Sequence, residues 1–385
     1  MGKLKTEEDK LPITPSVVSW ARKRAQYSIE EAKEHFRNIA EWEDGVSWPT
    51  YPQLEQMSDK FKCPIAVFFF PKPPESEAIQ QTFRTLPEQE FELIPRAVKV
   101  LLRKGRAMQI NLAELNDDTN PANKLITKDL QFNIDGSIDE MAASVRKYLG
   151  VSLDQQFQWP TADEALENWR RTLNDSGIFI FKDPFYNGKY SGFCLYDNIF
   201  PIIYVNNTTT KTRQIFTIFH ELAHLIFHTS GIDTLDDSYV DSLPDNEQKI
   251  EVICNRFAGQ FLVPEDTFEE FLAEYLPNKE TASLLANKYC VSREVIYRKF
   301  LDRDLITQNE YDSAADLWRK QKGRDGNGGN YHYNQRVYLG DQYINLAFKR
   351  YYQNRFDLVR LAEYLNMKPK NVNKFEATYV RITSG

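Results

Sequence analysis

The chain has 385 residues, a net charge of -7, 42% hydrophobic residues, 27% charged residues and 13% aromatics, which describes two or three folded domains and excludes a disordered chain. Its longest apolar run, Ile65 to Phe70, is too short to span a bilayer and the N-terminus has no apolar signal region, so no membrane partner and a cytoplasmic location are expected. Cys63, Cys194, Cys254 and Cys290 are scattered without a C-x-x-C pair, which argues against a disulfide framework and a cysteine zinc knuckle.

Residues 12–63 read as short helices with turn signals between them. Ser28 caps Ile29 to His35, Gly45 stops the helix from Ile39, and Pro49-Thr50 opens Tyr51 to Phe61. Through Trp42-Glu43-x-Gly45 and Pro49-Thr50-x-x-Gln53-Leu54 the segment resembles the helix-turn-helix domain of lambda-repressor (XRE) type. It departs from that pattern by about one helical turn before Trp42, where the recognition helix begins, and its charges balance over residues 1–74. Residues 64–75 are expected as a strand or packed linker, and residues 76–160 as a helical connector with helices over Ile94 to Arg106, Met108 to Leu115 and Ile138 to Tyr148.

Thr161 to Leu173 reads as the first helix of the next unit. The period then changes from helix to strand over Gly177 to Lys182, Ser191 to Asp197 and Pro201 to Asn206, which predicts a small twisted sheet. A nearly all-apolar helix follows, carrying His220-Glu221-Leu222-Ala223-His224. Histidines four apart share a helix face and reach one metal ion, and Glu221, rotated by one residue, reaches water beside that ion as a general base. The expected cofactor is one Zn2+ per chain.

Two histidines leave such a site incomplete. Glu251 begins the apolar face of the helix ending at Pro264, and Asp245 and Glu247 compete with it as third ligand. Cys254 reads as a packed thiol, and His228 as a supporting or simply packed histidine. Tyr190, Tyr196 and Tyr239 are candidates for stabilising the oxyanion.

The stretch Asn206 to His224, followed by Glu251-x-x-x-Asn255-x-Phe257-Ala258-x-x-x-Leu262-x-Pro264, resembles the ImmA/IrrE family of metallopeptidases over roughly residues 160–305. The resemblance implies that Glu251 is the third zinc ligand and Glu221 the catalytic base. It also implies a zinc endopeptidase acting on a protein substrate, a transcriptional repressor or similar regulator, in a stress, phage or mobile-element response. The alternative is a DNA- or protein-binding regulator, or the antitoxin-like partner of a toxin, with a structural or rarely active zinc site.

After Ala282 to Tyr289 and Arg293 to Phe300, a helix pair that also resembles a helix-turn-helix, a Gly-rich linker is expected near 323–330. Beyond it, helices are expected over Leu339 to Arg355, Phe356 to Leu365 and Lys368 to Phe375, again with repressor-like spacing. From Arg319 onward there are thirteen Lys and Arg against five Asp and Glu, a net +8 that leaves -15 on the remainder. Interleaved with tyrosines, this tail suits DNA, an acidic protein partner, or a solvated face beside an acidic body.

The expected fold class is α+β: a mainly helical multidomain protein whose zincin-like metallopeptidase unit, a small twisted sheet plus the His-Glu-x-x-His helix, lies between helical helix-turn-helix-like modules. The expected domains are 1–75, a shortened helix-turn-helix module; 76–160, the connector; 161–305, the peptidase; and 306–385, the basic, aromatic helical domain.

Overall fold

Capping residues fix where the N-terminal helices begin. In the computed structural model, which describes residues 10–74, 94–234, 245–320 and 331–383, α1 (Pro15–Arg24) opens on a proline, whose missing N–H no helical bond needs. α2 (Ile29–His35) starts in a capping box: the Ser28 hydroxyl accepts from Glu31 N–H at 3.1 Å, and Ser28 N–H donates back to the Glu31 carboxylate at 2.7 Å. α3 (Ile39–Glu43) is only five residues long and ends at Gly45, whose φ of +70 suits glycine. α4 (Tyr51–Phe61) completes the bundle. Val17, Val18, Trp42, Leu54, Met57 and Phe61 fill its core. Residues 65–69, expected as a strand or linker, form a 3-10 turn instead: Pro64 O accepts from Val67 N–H, and Phe68 is buried among the helices.

The chain divides into two units, Met1–Gln81 and Thr82–Gly385. The second begins with α5 (Arg96–Leu115), one continuous helix where two were predicted. Gly105 stays within it because the sheet comes so close there: a Cβ would lie 3.0 Å from the Phe193 ring and 3.1 Å from Leu195. The helices α6 (Ile126–Asp129), α7 (Ile138–Leu149), α8 (Leu153–Phe157) and α9 (Ala162–Asp175) lead to the sheet.

Strands β1 (Phe179–Asp183), β2 (Tyr190–Leu195) and β3 (Ile202–Asn206) lie where alternation predicted them. A fourth, β4 (Ile232–Thr234), falls where no strand was expected. The order is β1-β3-β2-β4, with β1 and β3 parallel and the other pairs antiparallel. β1 and β3 are buried throughout, because helices cover both faces. Phe181, Tyr204 and Phe193 stack along one face, beneath α5. Ile180, Cys194 and Ile203 point into the core on the other, against α9 and the next helix, α10 (Lys211–Ile226).

α11 (Asp245–Leu262) packs along α10, with Phe219 and Phe261 stacked at 4.2 Å and Trp169 of α9 edge-on to Phe219 at 4.9 Å. Helices α12 (Glu265–Glu274), α13 (Lys279–Tyr289), α14 (Arg293–Leu301) and α15 (Gln308–Lys320) follow. The expected linker near 323–330 lies outside the described residues. Next come α16 (Tyr331–Leu339), α17 (Asp341–Tyr352), α18 (Leu358–Tyr364) and α19 (Val372–Thr383). The helix predicted over Leu339 to Arg355 is α17, which starts two residues later because Leu339 belongs to α16. Gly340 adopts φ +82 as the C-terminal stop of α16, its N–H donating to Arg336 O at 2.8 Å.

Buried Arg170 joins this C-terminal part to the sheet. Its guanidinium donates to Ile180 O of β1 at 2.7 and 3.0 Å, and to Val337 O at 2.9 Å and Tyr338 O at 3.2 Å at the end of α16. Among the described residues no helix is long and apolar enough to cross a membrane. A mainly helical chain with one small mixed sheet is an α+β arrangement.

Candidate metal centre

The centre is built on α10, whose first turn is capped by Thr210: its hydroxyl accepts from Arg213 N–H at 3.3 Å. Four residues apart, His220 and His224 point to the same side, with their Nε2 atoms 3.2 Å apart. Glu251 of α11 faces both, Oε2 lying 3.2 Å from His220 Nε2 and Oε1 3.1 Å from His224 Nε2. The three side chains are 1%, 3% and 15% exposed, so this polar group sits inside the apolar core with one edge toward solvent.

Each imidazole is oriented through its other nitrogen. His220 Nδ1 donates to Asn255 Oδ1 at 3.1 Å. His224 Nδ1 donates at 3.3 Å to the Thr229 hydroxyl, whose own proton is directed to His224 O at 3.0 Å. With the protons on Nδ1, both Nε2 lone pairs face Glu251, the donor set that zinc takes from two histidines and a carboxylate.

Glu221 lies beneath this group, fully buried. Its Oε1 accepts from Asp233 N–H of β4 at 3.1 Å, and among the described residues its Oε2 has no hydrogen-bond partner. Burial pushes its pKa up to about 7, with Asp233 adding to the shift and the two histidines opposing it. For Glu251 burial also favours the neutral form, but the two imidazoles outweigh it and hold the carboxyl well below its usual range. The orphaned oxygen of Glu221 and the converging set above it fit a metal ion with a neighbouring base.

β4 is tied down by a buried clamp. Asp233 accepts from Arg213 Nη2 at 2.9 and 3.0 Å and from the Thr217 hydroxyl at 2.8 Å. Just before it, Gly231 lies flat against His224: a Cβ there would sit 2.7 Å from the imidazole. Neither Asp233 nor Gly231 was legible in the sequence, because their contacts are made between segments. Asn255 did leave a signal, lying one turn from Glu251 on the same face.

The other expected residues lie elsewhere. His228 adopts φ +59, its Nε2 is 2.8 Å from Thr127 O, and its ring packs on Tyr196 at 4.9 Å. The Tyr196 hydroxyl donates to Asn198 Oδ1 at 2.8 Å. Tyr190 is half-buried at the start of β2, opposite Thr234. Tyr239 lies outside the described residues, as do the side chains of Asp245 and Glu247. Cys254 is fully buried beside His224 and Glu221, and among the described residues the metal-holding group consists of His220, His224 and Glu251.

Residues 173–301, which contain this group, match the family described as the IrrE N-terminal-like domain of the M78 peptidases. The chain is 31% identical over 98 residues to the radiation response metalloprotease IrrE of Deinococcus deserti, covering 25% of this chain and 34% of that protein. It is 33% identical over 93 residues to the protein of the same name from Deinococcus radiodurans, covering 24% and 28%. The chain thus spans about a third of the length of the curated relatives it matches. These matches support a metalloprotease domain of the ImmA/IrrE family in this segment.

Proposed function

We propose that residues 161–305 are a zinc endopeptidase in which His220, His224 and Glu251 hold the ion and Glu221 is the general base. One observation carries the reading: two Nε2 atoms and a carboxylate converge beside a buried glutamate, one of whose oxygens is unpartnered among the described residues. Zinc held there supplies Lewis acidity, polarising the scissile carbonyl and acidifying water. Glu221 takes the proton of the attacking water on Oε2, while Asp233 N–H keeps Oε1 in place. Burial of Glu221 favours its holding that proton until it is returned to the leaving amine. Asn255 and Thr229 hold the imidazoles in the tautomer that offers Nε2.

β4, whose backbone touches Glu221, is the strand best placed to pair with an extended substrate segment by β-augmentation. That mode selects a disordered or hinge region of a protein. By the family resemblance, the substrate is a transcriptional repressor or similar regulator in a stress, phage or mobile-element programme, and the relatives' printed name, radiation response, is of the same kind. Four free, buried cysteines suit a reducing cytoplasm. Residues 1–75, 76–160 and 306–385 then serve as docking module, connector and C-terminal domain.

The test combines zinc content with cleavage of repressor-like proteins encoded nearby. Glu221→Gln keeps about one zinc per chain and loses cleavage, whereas His224→Ala loses both. An active Glu221→Gln protein sinks the mechanism, and a wild-type protein that binds no zinc sinks the site.

A further inference from the structure

Among the described residues three helix pairs have a helix-turn-helix outline, and their surface chemistry separates them. In the N-terminal unit the second helix, α3, is five residues long and is bordered by exposed Glu41 and Asp44, which repel phosphate. In the α13–α14 pair the cations are already engaged: Lys299 Nζ lies 3.0 Å from Gln260 Oε1 and 3.2 Å from Glu265 Oε2, and Arg293 covers the Trp318 ring at 4.9 Å.

The third pair, α18 and α19, differs. Leu361, Ala362 and Leu365 of the first helix and Val372, Phe375 and Tyr379 of the second are all buried. The turn is set by Asn366 at φ +51, while Met367 N–H donates to Ala362 O at 2.9 Å, closing a Schellman stop. A 3-10 turn, Pro369–Asn371, leads into α19. The exposed residues Lys370, Asn373, Lys374, Ala377 and Arg381 then recur at intervals of three and four, on one face.

The positive charge of the C-terminal part is divided between two tasks. Four of its arginines hold the fold: Arg336 pairs with Asp341, Arg350 and Arg355 with Asp117, and Arg360 with Glu114. Among the described residues Lys368, Lys370, Lys374 and Arg381 stand in no ion pair. Glu376, the acid of α19, is turned to the Tyr352 hydroxyl.

We propose that α18 and α19 form a DNA-reading helix-turn-helix, with α19 entering the major groove of duplex DNA. Lys370, Asn373 and Lys374 face base edges: a lysine donates to guanine O6 and N7, and an asparagine carboxamide pairs with adenine N6 and N7. Lys368 and Arg381, at the two ends of the face, contact phosphates. This assignment is independent of the metal centre and of peptidase activity.

The full chain is presented with duplexes carrying a randomised centre of about 20 base pairs, two turns of the groove, and the retained duplex is titrated by fluorescence anisotropy over a range of salt. A consensus is expected, bound with steep salt dependence. In Lys370→Ala/Lys374→Ala, binding to the selected duplex falls about tenfold or more, and in Lys368→Ala/Arg381→Ala the slope of log K against log salt drops by about 2. Asn373→Ala relaxes the preference at one position, and Glu41→Gln in α3 changes nothing. The proposal is overturned if no duplex is enriched at low salt, if the lysine variant binds the selected duplex as the wild type does, or if an RNA stem of the same sequence competes equally.

Discussion

Asn255 illustrates how much of the centre depends on residues that hold nothing themselves. Its carbonyl oxygen keeps the proton of His220 on Nδ1, so that Nε2 faces the carboxylate of Glu251. Asn255→Ala leaves the ring free to turn or to change tautomer, and zinc affinity falls by about 10- to 100-fold. Competition with a chromophoric chelator measures this directly, and unchanged affinity rejects the positioning role. The two histidines and Glu221 were legible in the sequence because one helix turn sets their spacing. Glu251 was one of three acidic candidates, singled out only by resemblance. Thr229, Gly231 and Asp233 come into place through β4, and a three-residue strand leaves no periodic signal.

Among the elements, those with a strong local period are where the sequence placed them, such as α7 and α9, while boundaries made by distant partners are not. α5 continues through Gly105 because the sheet packs against it, and α16 ends at Gly340 because Arg170 takes up the space a side chain would need. β1 carries a comparable hidden feature. Lys182 is fully buried, with Nζ 2.8 Å from Glu167 Oε1. Burial pushes its pKa down to about 8, Arg170 adds to the fall, and Glu167 opposes it. Between pH 8 and the ordinary lysine value, about 10.4, the unfolded chain holds more protons than the native one, so stability rises with pH across that window. Below it the penalty for the buried charge is present in full. Lys182→Met removes this contribution, so the wild type gains on the variant between about pH 8 and 10 in urea denaturation. A difference that stays constant over that range rules the assignment out.

At the scale of the whole molecule, the proposed zinc site joins α10 to α11 at the centre of the largest core, so metal and fold are linked. An ion bound only by the native state adds about 4 kcal/mol when free zinc is some 1,000-fold above its Kd. Chelator-treated protein therefore unfolds at lower urea than zinc-replete protein, and His224→Ala abolishes the difference. Equal midpoints with and without zinc in the wild type exclude a native-state site.

Arg170 grips the end of α16 through main-chain oxygens: Ile180 on one side, Val337 and Tyr338 on the other. Such a joint is indifferent to which side chains occupy positions 337 and 338, and asks of its partner only a helix end and a glycine after it. Positions 337 and 338 are thereby released from covariation with Arg170 at this contact. Over evolutionary time positions 337 and 338 can diverge while the joint is kept, whereas the pairs of Arg350 and Arg355 with Asp117 and of Arg360 with Glu114 are where both sides must change together.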